Sequence, residues 1–186
     1  MADPAKRGAT YADLMAVPDH LVAELIHGAL EVSPRPGAGH ALAASVLGGE
    51  LSGPFHRGRG GPGGWVILDE PELHLGPNVL VPDLGGWRRE RMPVVPDVAA
   101  FELAPDWVCE VLSPRTAATD RADKLPIYAS FGVAFIWYVD PLARTLEVFR
   151  TGDGHATLIQ TFRDAAVIRA EPFEAIAVEL GALWER

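Results

Sequence analysis

Two segments of this chain are apolar enough to be buried strands, DWVCEVLS (106–113) and VAFIWYVD (133–140). The stretch between them, from about Thr119 to Ser130, has the spacing of one helix, with Pro126 in or near its first turns or kinking it. A helix joining two buried strands has to lie on the sheet to which they belong. Upstream, Thr10 can cap a short helix that stops around Pro18, and LVAELIHGALEVS alternates on both sides of a His27-Gly28 hairpin turn. Gly39 to Leu51 reads as an amphipathic helix and residues 56–64 as a mobile loop. Strands are expected at 65–70, 72–75 and 79–84, the last two joined at Gly76-Pro77-Asn78, then a surface excursion over 85–106. Strands at 145–149 and 157–161 follow, with a short tail that could end on an edge. The expected class is α/β (α+β): a mixed central β-sheet flanked by helices, one domain over 1–186, with 1–9 a loose N-terminus.

Charge and cysteine usage remove several functions. The net charge of −9 argues against coating nucleic acid by bulk electrostatics. It leaves room for an enzyme whose clustered carboxylates meet phosphate through a bound cation. A single cysteine, Cys109, excludes an intramolecular disulfide and a Cys-rich zinc site. No secretory signal or membrane-spanning apolar run is present, so the expected location is the cytoplasm. Phosphate-loop, dinucleotide-binding, HExxH and GxSxG motifs are all missing.

Acidic residues inside apolar strands remain: Glu24 in VAELI, Asp83 at the end of VLVPDL, and Glu110 in WVCEVL. A buried carboxylate is costly unless paired or metal-bound, although each could instead cap a turn or sit at an edge. Strand alternation puts Val108, Glu110 and Leu112 on one face and Trp107, Cys109 and Val111 on the other. Of the 16 basic residues only Lys6 and Lys124 are lysine, and an isolated interior lysine suits a compact ammonium. Carboxylates around Mg²⁺ (or Mn²⁺) with an ammonium nearby suit phosphodiester hydrolysis. Asp120, four residues before Lys124, offers the plainer alternative of an exposed helical ion pair. Tyr128 on that face reads as packing, His40 as a helix cap, and Arg57, Arg59, Arg88, Arg89 and Arg91 as solvated loop charges or nucleic-acid backbone contacts. Trp65, Trp107 and Trp137 read as core.

The order Pro82-Asp83, Glu110 in a buried strand, then Lys124 resembles the PD-(D/E)xK restriction-endonuclease-like superfamily. More closely, the chain resembles the Uma-type family of endonuclease-like proteins from about Tyr11 to Phe149. The carriers are Glu24-Leu25-Ile26-His27-Gly28, Ser33-Pro34 then His40, Val81-Pro82-Asp83, Glu110-Val111-Leu112-Ser113-Pro114, Asp120, Lys124, Tyr128, Gly132-Val133, Trp137 and Val139-Asp140-Pro141. The resemblance implies a restriction-endonuclease-like fold acting on DNA, with Asp83 and Glu110 as catalytic metal ligands, Glu24 as accessory ligand and Lys124 beside the attacked phosphate. It also implies a homodimer. The motif's lysine position is taken by Leu112, so the lysine has migrated to the following helix as Lys124. Phe135 stands where family members often carry a carboxylate, and Leu84-Gly85-Gly86 does not continue an apolar strand. The alternatives are a non-catalytic dimeric binding or regulatory module on the same fold, or an enzyme for another phosphate-containing substrate.

Overall fold

The structure is a computed structural model that describes residues 6–185. Its centre is a six-stranded mixed sheet ordered β11-β10-β9-β8-β7-β4. These strands are β4 (Trp65–Asp69), β7 (Leu84–Arg88), β8 (Trp107–Val111), β9 (Phe135–Asp140), β10 (Thr145–Gly152) and β11 (His155–Arg163). Every neighbouring pair is antiparallel except β8 and β9, which run parallel. That parallel pair is the one joined through a helix, as the two apolar segments require. The expected fold class therefore holds.

The first hairpin lies outside this sheet. A five-stranded antiparallel sheet runs β1-β3-β2-β6-β5. It comprises β1 (Lys6–Arg7), β2 (Leu21–Ile26), β3 (Ala29–Pro34), β5 (Leu73–Leu75) and β6 (Asn78–Leu80). Lys6–Arg7 pair with Ala29-Leu30 where a loose terminus was expected, and residues 1–5 lie outside the described ones. Between β2 and β3 both turn residues have positive φ, His27 at 51° and Gly28 at 76°, which matches a tight hairpin turn. The turn sets Glu24 opposite Glu31. Gly28→Ala forces a β-carbon into the left-handed region, and a loss of about 1–2 kcal/mol is expected in the urea midpoint.

The strand expected over 79–84 breaks: pairing stops at Leu80 and resumes at Leu84. Val81-Pro82-Asp83 is the link by which the chain crosses from one sheet to the other. β7 lies mostly in the stretch expected as a surface excursion from the charges of Arg88-Arg89-Glu90-Arg91 and the prolines of 85–106, and Leu84-Gly85-Gly86 does not read as a continued apolar strand. It is instead paired on both sides, and the glycines are needed there. A β-carbon on Gly86 would meet Trp107 Cε3 at 3.0 Å, and one on Gly85 would meet Pro71 Cγ at 2.8 Å.

α1 (Tyr11–Met15) is capped by Thr10 as expected, through a capping box with Asp13, and it ends three residues before Pro18. α2 (Ala38–Leu51) packs Ala43, Leu47 and Leu51 onto the Trp107, Cys109 and Val111 face of β8. The stretch 56–64 is less free than its composition predicts: His56 Nδ1 accepts the Ile67 N–H at 3.0 Å, and Gly63 N–H reaches Pro54 O at 2.9 Å. Phe173 fills the middle of that core, 4.6–5.6 Å from the rings of Phe55, Trp65, Trp107 and Trp137. The tail does end on an edge, that of a separate two-stranded sheet. β12 (Val167–Ile168) pairs with β13 (Val178–Glu179), and fully buried Leu180 and Leu183 join the same core.

The opposite face of β8 carries Val108, Glu110 and Leu112, as alternation predicts, and it is covered by the crossover helix. That helix starts at Ala117, two residues before the expected start. It comprises α3 (Ala117–Thr119), a π-helical turn (Asp120–Lys124) and α4 (Leu125–Ser130), with Pro126 in the first turn of α4. Among the described residues no helix is long and apolar enough to cross a membrane.

Candidate active site

Where the two sheets and the crossover helix meet, a cleft of about 300 Å³ opens. Glu24 on β2, Asp83 on the sheet-to-sheet link, Glu110 on β8, and Asp120 and Lys124 on the π-helical turn all line it. The residues singled out in the sequence thus converge from four separate pieces of chain.

Lys124 is the hub. Its Nζ lies 2.9 Å from Glu24 Oε2, 3.0 Å from Asp120 Oδ1 and 3.4 Å from Glu110 Oε1. The side chain is only 5% exposed, so the wet-surface alternative for the Asp120–Lys124 pair is overturned. Helical spacing makes the pair possible, but the sheet packed over it decides its burial. Burial pulls the Lys124 ammonium toward neutrality; the surrounding carboxylates outweigh it and hold the group well above the ordinary lysine range.

Glu110 answers in the opposite sense. Burial pushes its carboxyl well above the ordinary range; Lys124 opposes the shift, while Asp120, Glu24 and Asp83 add to it. Tyr128, read from sequence as packing, is fully buried and also donates its hydroxyl to Glu110 Oε1 at 2.6 Å. Its place, four residues after Lys124 on the same helix face, was the available signal. Tyr138 on β9 donates to the Asp120 carbonyl and so holds the π-helical turn against the sheet.

Backbone amides orient the other two acids. Glu24 Oε1 accepts the Val81 N–H at 2.8 Å, and Asp83 Oδ2 accepts the Val111 N–H at 2.7 Å. His40, expected as a helix cap, has a different place. α2 opens at Gly37 without a side-chain cap, and His40 Nε2 instead lies 3.3 Å from Asp83 Oδ1. Burial lowers the His40 pKa, but its hydrogen bond and charge interaction with Asp83 prevail and raise it.

Phe135 packs against the aromatic core instead of the cleft. The loop arginines stand apart from it too: Arg88 stacks over Trp65 at 4.4 Å, and Arg91 pairs with Asp106 at 2.9 Å. At the mouth are two cations that the sequence pattern did not single out, Arg35 and Arg115.

The sequence profile of the Uma2 family, described as "Putative restriction endonuclease", matches residues 9–181. The chain belongs to this family. No functionally curated protein matches it. Among solved structures, the chain is similar to a crystal structure titled as "a putative nuclease belonging to DUF820" from Anabaena variabilis. The TM-score is 0.74 at 21% identity, covering 95% of this chain and 97% of that one. At that identity the likeness establishes the fold.

Proposed function

We propose that this Uma2 protein is a cytoplasmic, metal-dependent endonuclease that hydrolyses phosphodiester bonds of DNA. The observation that carries the reading is the convergence of Asp83, Glu110 and Lys124 on one cleft. The donor set fits Mg²⁺ or Mn²⁺. All the acids offer hard oxygen, and the five carboxylates lining the cleft (Glu24, Glu70, Asp83, Glu110, Asp120) outnumber its three Lys and Arg side chains (Lys124, Arg35, Arg115), His40 aside. Among the described residues no three side chains are gathered as a finished cation site. Glu110 Oε2 has no hydrogen bond there, whereas both Glu24 oxygens are engaged. Asp83 and Glu110 are assigned as the ligands; both Asp83 oxygens are also engaged, so Asp83 would join by releasing His40, and Glu24 would join as accessory ligand by releasing Lys124.

A bound divalent cation would acidify water and polarise the phosphoryl oxygen. The protein's own part is positional. Val111 N–H and His40 orient Asp83, Tyr128 orients Glu110, and Lys124 holds a fixed positive charge for the developing phosphorane charge. The N-terminal end of α2, uncapped at Gly37, adds partial positive charge to the cleft wall.

The test is cleavage of plasmid and single-stranded DNA with Mg²⁺ or Mn²⁺, beside Asp83→Ala. Wild type is expected to cut and the variant to be silent. Cleavage by both would remove Asp83 from the site, and a wild type silent with either metal favours the non-catalytic module. Two copies about a two-fold axis would present two clefts to the two strands of a duplex. Sedimentation across micromolar concentrations is expected to show a dimer, and monomer throughout would count against it.

A further inference from the structure

At the mouth of the cleft, Arg35 Nη1 lies 3.4 Å from Glu70 Oε2 and Nη2 donates to the Asp19 carbonyl at 3.1 Å. Arg35 stands between Pro34 and Pro36, whose rings restrict the backbone on either side, and its side chain lines the opening. Glu70 follows β4 in a left-handed conformation, φ 45°, uncommon for a residue with a β-carbon. Its N–H donates to the Asp83 carbonyl at 3.1 Å, so the backbone that carries Glu70 is tied to the backbone that carries a proposed metal ligand. The remaining cleft cations differ from Arg35. Lys124 is committed to three carboxylates, His40 is against Asp83, and Arg115 is exposed with no partner among the described residues. Arg35 is the cation at this mouth held in readiness by an acid that is itself half exposed.

Resting on the phosphodiester reading above, we propose that Arg35 binds a phosphate of the nucleic-acid backbone at the cleft mouth, and that Glu70 occupies Arg35 in its place until substrate arrives. A carboxylate and a phosphodiester offer the same pair of anionic oxygens to the guanidinium fork. With side chains 55% and 49% exposed, the resting pair is weak and exchangeable. A phosphate can displace Glu70, and the acid acts as a built-in competitor. The consequence has an unusual sign: neutralising an active-site glutamate tightens binding.

The experiment is fluorescence anisotropy of a short labelled DNA duplex with the full chain and Ca²⁺ in place of the catalytic metal. It compares wild type, Arg35→Gln, Glu70→Gln and the double variant over a range of salt. Glu70→Gln is expected to tighten binding by about two- to five-fold, the affinity an exposed pair can withhold. Arg35→Gln is expected to weaken it roughly tenfold and to reduce the salt slope by about one contact. The double variant should bind like Arg35→Gln alone, because Glu70 acts through Arg35. If Glu70→Gln changes nothing, or tightens binding equally with Arg35 already removed, Glu70 is only one more negative charge and the proposal falls. If wild type and every variant fail to bind, the phosphodiester reading itself falls and takes this proposal with it.

Discussion

Lys124→Ala is expected to lower the unfolding free energy by about 3–5 kcal/mol, because it strands buried carboxylates without their counter-charge. For a domain of this size that is a drop of about 6–20 °C in Tm. The cause is specific: Glu110 and Asp120 are 3% and 2% exposed, and Glu24 shares the same ammonium. An exposed helical pair would lose only a few tenths of a kcal/mol, so the two environments are separated by an order of magnitude. The pH dependence follows from the Lys124 shift. A raised folded-state pKa stabilises fully below the unfolded value of 10.5, and the gain is lost as pH rises through the still higher folded value. In Lys124→Ala the stranded acids want protons, so the deficit is expected to shrink from about pH 7 down to about pH 4. Lys124→Ala in a Glu110→Gln background should lose less than Lys124→Ala alone, since one stranded charge is gone. Urea midpoints for wild type and these variants decide it, and a loss below about 0.5 kcal/mol would sink the buried-hub description.

The parts of this site differ in how far their own sequence announces them. Glu110 is a charge in the middle of WVCEVL, and Lys124 is the one interior lysine in a chain whose basic residues, Lys6 apart, are otherwise arginine; both stand out because they violate their surroundings. Glu24 is fixed in space by the hairpin register, which the His27-Gly28 turn makes readable. Asp120 and Tyr128 share the helix face of Lys124, but helical spacing is blind to what covers that face. His40 is 43 residues from Asp83 along the chain, and no local pattern expresses such a contact. The division into two sheets was hidden for a related reason. Val81-Pro82-Asp83 continues the apolar alternation of β6, and only the pairing partners reveal that the ladder stops there. The glycines of β7 misled in the other direction, since close approach of Pro71 to Gly85 and of Trp107 to Gly86 demands the very residues that weaken a strand pattern.

Glu110→Gln is expected to reduce DNA cleavage by at least about a hundredfold while leaving the domain folded. The amide keeps the carboxylate's shape but loses the charge on which metal ligation and the Lys124 pair depend. Stability supplies a readout independent of turnover. Because burial raises the folded pKa of Glu110 above its ordinary 4.5, the native state binds more protons than the unfolded chain over the interval between the two values. Its contribution is present below that interval and is lost as pH rises through it, so without metal Glu110→Gln should gain on wild type from about pH 4 upward. A divalent cation reverses the comparison. It needs the ionised carboxylate, and binding the folded state alone stabilises by about 2.7 kcal/mol at a hundred times Kd. Wild type should therefore gain Tm on adding Mg²⁺ or Mn²⁺ at about pH 7–8 and gain little at about pH 4. Glu110→Gln should respond weakly at either. Equal metal-induced shifts in the two proteins would take Glu110 out of the ligand set. A metal-free pH profile in which wild type keeps pace with the variant from about pH 4 to pH 8 would show that Lys124 and Tyr128 fully offset the burial of this carboxylate, contrary to the direction argued here.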